Sequence, residues 1–227
     1  MATGFITRLL GVLGFVSSQL MNLSAIPSLS QIISTRSTLS YPSFPVVIGL
    51  ANAIHNILYA VSRSDEFVIF SSLTSLILNS IFLWVHIRFS RSPSSIAREV
   101  LYFPVLSTTL SLILVASEAG LGSCMNIPSL SQCLAKNSKV LGIVSTVVST
   151  LSYCGQLSTF SKVIRTRNSS SISPWMTAGV LLRASCWLAY SYLIDDKFYL
   201  TSTLIGLVSA ITQITLLILY PRAKKLD

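Results

Sequence analysis

Residues Gly155–Tyr220 read GQLSTFSKVIRTRNSSSISPWMTAGVLLRASCWLAYSYLIDDKFYLTSTLIGLVSAITQITLLILY. Three apolar segments follow one another in this stretch. A basic, Ser-rich loop from Lys162 to Ser173 joins the first two, and a tight acidic turn, Asp195-Asp196-Lys197, joins the second to the third. The same plan occurs once earlier, between Leu29 and Phe89. The fold follows from asking why it occurs twice.

The surrounding chain has the composition of a bilayer protein. Of its 227 residues 52% are hydrophobic and 10% charged, and the mean hydropathy is +0.71. A soluble domain carries about 25% charge, so this chain lacks the polar surface to cover a globule in water. Apolar runs of about 20 residues span a bilayer as helices. Seven are expected here: Phe5–Ser28, Phe44–Val61, Phe67–Ile87, Val100–Ala116, Val140–Phe160, Trp175–Ile194 and Phe198–Tyr220. The runs are continuous and not alternating, which favours a helical bundle over a transmembrane barrel. The first run is too long for a signal peptide and belongs to the first repeat, so it is expected to stay in the mature protein.

The net charge of +9 is an orientation signal and does not point to nucleic acid. Arg36, Arg88, Arg91, Arg98, Lys162, Arg165, Arg167, Arg222, Lys224 and Lys225 fall on one side of the expected spans; Asp65, Glu66, Glu118, Asp195 and Asp196 fall on the other, with Arg63, Lys136, Lys139 and Lys197. Basic loops stay cytoplasmic, so the N-terminus is expected outside and the C-terminus inside. Cys124 and Cys133 then share an outer loop, where an oxidising compartment permits a disulfide. His55 and His86 lie on separate spans, and no Cys/His cluster has metal-ligand spacing. No nucleophile–base pair is evident, so neither an enzyme nor a cofactor is expected.

A 131-residue offset superposes the two halves. It carries Arg36 onto Arg167, Tyr59 onto Tyr190, Asp65 onto Asp196, Phe67 onto Phe198 and Ser72 onto Thr203. Three crossings end on the far side of the membrane, so a second unit in the same orientation needs one extra crossing. The expected fold is therefore all-α, two parallel three-helix repeats joined by a linker helix (3+1+3). The divisions are residues 1–90, 91–136 and 137–227. Parallel repeats about the membrane normal are one transporter design.

The V-I-R-T-R loop, the S-C-W-L-A-Y helix, the acidic turn and the closing Q-I-T-L-L-I-L-Y resemble the SWEET (MtN3/saliva) sugar transporters. In the first half, A-I-P-S-L-S-Q-I-I-S-T-R-S-T, the F-P of the second span, Asn52 and I-L-Y-A agree. The resemblance implies a uniporter of mono- or disaccharides, with a site between the repeats and hinge prolines on four spans. The hinge positions correspond to Pro45 in the second span, to Ala25 with nearby Pro27 in the first, to Gln156 in the fifth, and to Ser173 beside Pro174 in the sixth. The pocket positions correspond to Trp187, Asn56, Thr203 and Ser75 (or Thr74).

Each of these residues also has a plainer reading. Trp187 offers an aromatic face to a pyranose but also suits packing between helices. Asn56, and Asn52 one turn away, carry amides that match sugar hydroxyls, or that bind one helix to the next. Thr203 and Ser75 can satisfy their own helix backbone. Arg183 is the one charge deep in an expected span; it contacts substrate, locks the repeats, or extends its head to the inner surface. No expected span carries an Asp or Glu in its interior. The expected function is passive, bidirectional sugar transport, with the bilayer, a small sugar and a homo-oligomeric copy as partners and the plasma membrane as location. The rivals are a PQ-loop-like carrier of an amino acid or charged metabolite, and a non-transporting membrane partner or chaperone.

Overall fold

A computed structural model describes residues 2–38, 43–119, 130–169 and 172–221. Its described residues form helices and contain no strand. The helices are α1 (Ala2–Leu23), α2 (Ile26–Thr35), α3 (Phe44–Arg63), α4 (Glu66–Phe89), α5 (Pro93–Val100), α6 (Leu106–Ala119), α7 (Leu130–Lys136), α8 (Ser138–Thr166), α9 (Pro174–Leu193) and α10 (Lys197–Leu219), with a π-helical turn at Leu101–Val105 between α5 and α6. They make the seven expected spans: α1 with α2, α3, α4, α5 with α6, α8, α9 and α10. Two spans are longer than expected and irregular, each at a proline. The first breaks at Ser24–Ala25, and Pro27 opens α2 because it has no N–H to give to Leu23. The fourth runs unbroken from Pro93 but widens to a π turn around Pro104, whose missing donor frees the carbonyl one turn back.

Among the described residues, five segments are long and apolar enough to cross a bilayer by themselves. Of the other two spans, α9 is less apolar because of Arg183 and its aromatic residues, and α8 contains side chains outside the described residues. Large apolar side chains face outward along the helices. Phe5 is 70% exposed, Ile77 60%, Val208 57% and Ile218 73%. In water that surface would be untenable; in lipid it is the expected exterior. Trp175 (86%) and Tyr192 (73%) stand near opposite ends of α9, as residues of an interfacial aromatic belt do. The protein is an integral membrane protein.

Backbone geometry repeats at the 131-residue offset. Among the described residues, four non-glycine residues have positive φ: Arg36 (50°), Ser64 (55°), Arg167 (49°) and Asp195 (51°). They form two pairs at that spacing, each ending a helix in the left-handed conformation. The next residues, Asp65 and Asp196, cap α4 and α10 with carboxylates that accept backbone N–H groups from Val68, and from Phe198 and Tyr199. The two three-helix repeats thus share their caps as well as their apolar lengths.

By packing, the chain divides into two compact units. One comprises Met1–Ser24 with Tyr153–Asp227, the other Ala25–Ser152. The chain passes between them at the α1–α2 break and within α8. In the first unit α9 packs on both α1 and α10, and Phe160, Val163, Ile172 and Leu216 form a core cluster. In the second, α3 packs on α4 and on the π turn, around Val47, Leu50, Leu83 and Ile96. His55 secures α3 to α6: its Nδ1 lies 2.7 Å from Ala51 O and its Nε2 3.1 Å from Ser111 Oγ.

Candidate functional site

In the Ala25–Ser152 unit, the polar side chains gather on α3. Asn52 and Asn56 are one turn apart, and the start of α8 runs past them with Ser145 and Ser149 at the same spacing. Ser149 Oγ donates to Asn52 Oδ1 at 2.7 Å, Ser145 Oγ donates to Asn56 Oδ1 at 2.8 Å, and Asn56 Nδ2 donates to Asn52 Oδ1 at 3.2 Å. The contacts pair the earlier residue of one helix with the later residue of the other, so α3 and this part of α8 run antiparallel. Both amide oxygens are engaged. The Asn52 Nδ2 group has no acceptor among the described residues, and Asn56 uses one of its two amide hydrogens. Both side chains are half-buried, so these donors remain within reach of a ligand.

Ser75 lies on α4 in the same unit, half-buried, with its hydroxyl donating to Ser71 O at 3.0 Å. Its carbonyl receives Asn79 Nδ2 at 2.8 Å. Asn79 packs over Gly49 of α3, where a Cβ would come within 2.8 Å of Asn79 Oδ1. Thr74, the alternative to Ser75, is also half-buried and bonds to Phe70 O. Pro45 stands in the first turn of α3, where a missing N–H breaks no helical bond.

The other unit holds Trp187, Thr203, Arg183 and Pro174. Trp187 is 2% exposed, and its Nε1–H donates to Ser18 Oγ on α1 at 2.8 Å. Tyr190 and Tyr199 meet its ring edge-on at 5.5 and 5.6 Å. Gly14 makes the approach feasible, since a Cβ there would lie 2.9 Å from the indole. Thr203 is buried on α10 at the α9 contact, 3.4 Å from Ser191 Oγ, with its hydroxyl also within reach of Tyr199 O. Arg183, half-buried, makes no hydrogen bond or ion pair among the described residues. It sits one turn from Gly179, which packs on Met21, and one turn from Trp187. Pro174 is the first residue of α9. Gln156 lies inside unbroken α8, and its side chain is outside the described residues.

Sequence reasoning missed the partners of these residues. Ser145 and Ser149 repeat the four-residue spacing of Asn52 and Asn56, a signal available in the sequence. Ser18 has no such signal. Gln19, its neighbour on α1, was also missed: both of its amide atoms are buried without a partner among the described residues. Cys133 is buried and disulfide-bonded; Cys124, its expected partner, lies outside the described residues.

A family model described as "Sugar efflux transporter for intercellular exchange", the MtN3/saliva model, matches the chain twice, over residues 8–94 and 139–225. The "Bidirectional sugar transporter SWEET9" of Arabidopsis thaliana is 25% identical over 98% of this chain and 82% of its own length. The "Sugar transporter SWEET1" of Drosophila pseudoobscura pseudoobscura is 21% identical over 94% of this chain and 89% of its own. The solved structure of a eukaryotic SWEET transporter superposes with a TM-score of 0.77 at 16% identity, covering 97% of this chain and 99% of that one, so the seven-helix fold is shared. With one family model filling both three-helix repeats, the chain belongs to the MtN3/saliva family, the SWEET transporters.

Proposed function

We propose that the protein is a facilitative, bidirectional sugar transporter that passes mono- or disaccharides through the membrane by alternating access. Family membership supports the class of activity. The observation that carries the chemistry is the pair of half-buried amides, Asn52 and Asn56. Their oxygens are tied to Ser145 and Ser149, while amide N–H groups remain open. An uncompensated polar group at hydrocarbon depth costs several kcal/mol by rough estimate; a passing sugar hydroxyl can accept such a hydrogen. Trp187, Thr203, Ser75 and Arg183 complete the proposed site. Trp187 and Thr203 are buried here, so their part in it requires a conformation in which the Trp187 ring is uncovered. Pro27, Pro45, Pro174 and Gln156 are the proposed hinge positions, in a mechanism of repeat against repeat over the divisions 1–90, 91–136 and 137–227.

The orientation proposed is N-terminus outside and C-terminus in the cytoplasm, in the plasma membrane, as a homo-oligomer. Disulfide-bonded Cys133 supports an oxidising compartment for the loop before α8, and Cys124 is the proposed partner.

The test separates binding from helix adhesion. Ser145→Ala and Ser149→Ala remove the helix–helix bonds but leave the amides; Asn52→Ala and Asn56→Ala remove the amides. In reconstituted vesicles the serine variants are expected to keep most labelled-sugar uptake, and the asparagine variants to lose about tenfold or more, a loss equivalent to one good hydrogen bond. Equal losses in both pairs would reduce the amides to interhelical glue. A second reading, a carrier of an anionic solute, rests on the unpaired Arg183. A panel of hexoses, disaccharides, anionic sugars and amino acids, repeated with Arg183→Gln, decides between them.

A further inference from the structure

A polar cleft of about 480 Å³ opens where α2 and α4 end, lined by Arg36, Arg88, Phe89 and Ser90. It lies wholly within the Ala25–Ser152 unit and away from the Asn52–Asn56 ladder. The two arginines are far apart in sequence. They line one cleft because α2 and α4 pack against each other and both finish at this end of the unit. Arg36 is held by its left-handed backbone, with its N–H turned back to Ile32 O and Ile33 O. Arg88 lies 5.6 Å from the Phe89 ring, which steadies its guanidinium. Ser90 Oγ accepts the Ser92 N–H, leaving its own hydrogen free to donate.

Both arginines are exposed, so water and salt screen their repulsion, while an anion seated between them is attracted by both. No carboxylate supplies that charge among the described residues. Asp65 caps the opposite end of α4, and Glu99 receives the Ser43 hydroxyl at 2.7 Å. Neither the Arg36 nor the Arg88 guanidinium makes a hydrogen bond or ion pair among the described residues. The helix C-termini lend each cation a partial negative charge but no group that bridges them. The pairing is specific to the first repeat: at the 131-residue offset Arg36 becomes Arg167, but Arg88 becomes Leu219.

We propose that the Arg36–Arg88 cleft binds a phosphate group, carried by an anionic lipid or by a soluble phosphate. Paired guanidinium forks match the oxygens of a phosphate. Basic pockets between membrane helices at the cytoplasmic surface hold phosphorylated headgroups for the same reason.

The test uses the full chain in phosphatidylcholine nanodiscs doped with phosphatidylinositol 4-phosphate, with retained phosphoinositide counted by native mass spectrometry. Wild type is expected to retain it. Arg36→Gln/Arg88→Gln is expected to retain about 30-fold less, each arginine near an anionic headgroup being worth about fivefold. Arg167→Gln, at a helix end of the same backbone geometry in the second repeat, is expected to match wild type. Should the double glutamine variant fail to elute as a single species, Arg36→Lys/Arg88→Lys replaces it and is expected to retain less than wild type, having lost the forks. A separate melting series in undoped nanodiscs with inorganic phosphate assigns the source: stabilisation of wild type but not of the double variant identifies free phosphate, and headgroup retention without it identifies the lipid. Equal retention by wild type and double variant, or an equal loss in Arg167→Gln, overturns the proposal.

Discussion

Trp187 shows how a single side chain is held. Its indole N–H donates to Ser18, and its ring occupies the space that Gly14 leaves. Ser18→Ala strands a buried donor, so a loss of about 1–3 kcal/mol in stability is expected. The double variant Ser18→Ala/Trp187→Phe removes both partners. Thermal melting through the four-way cycle should give a coupling of roughly 0.5–2 kcal/mol; a coupling of zero would mean that the bond contributes nothing. Gly14→Ala places a methyl group inside the indole and is expected to cost about 1–3 kcal/mol by overpacking. Gly4→Ala is its control on the same helix, since a Cβ there meets nothing within 4 Å. Gly4→Ala should leave melting unchanged or raise it slightly.

Three of the four hinge positions are prolines, and their surroundings differ. Pro45 and Pro174 lie in first turns, where the ring costs no hydrogen bond. Pro27 follows a break within a span, and its missing N–H holds α1 and α2 apart. Pro27→Ala is therefore expected to rejoin the helix and cut transport several-fold at unchanged surface expression. Pro174→Ala should change transport little. Uptake normalised to surface protein measures both, and a larger effect at Pro174 would reverse the assignment. The π turn at Pro104 was not legible in the sequence. A proline inside an apolar run can kink, break or widen a helix, and the choice here follows from what packs on it: α3 lies against the turn, and Phe44 meets Phe103 edge-on at 5.3 Å.

For the transporter as a whole, the expected energetics are simple. Among the described residues the acidic side chains lie at or near span ends; Glu99, seven residues into the fourth span, accepts the Ser43 hydroxyl, and none forms a relay across the membrane. Uptake into vesicles should equilibrate with the sugar gradient, run equally in either direction, and be indifferent to a proton uncoupler. Radiolabelled counterflow with and without the uncoupler measures this, and a collapse of uptake would establish coupling.

The seven spans, their parallel repetition and the family were all legible in the chain, because each rests on local pattern. Apolar length sets a bilayer helix, and a constant offset between like residues sets a repeat. The candidate site was legible only as a set of residue types. Which amide oxygen is occupied, which donor stays open and whether Trp187 is covered depend on helices brought together from distant parts of the chain. Asn52 and Asn56 find their serines on α8, about 90 residues away, and Trp187 finds Ser18 on α1, 169 residues away. The Arg36–Arg88 cleft is of the same kind: two ordinary basic loop residues in the sequence, one concentrated charge once α2 and α4 lie together. Local spacing carries no information about such pairings, since packing free energy is shared among many contacts and selects the partners only when the tertiary structure forms.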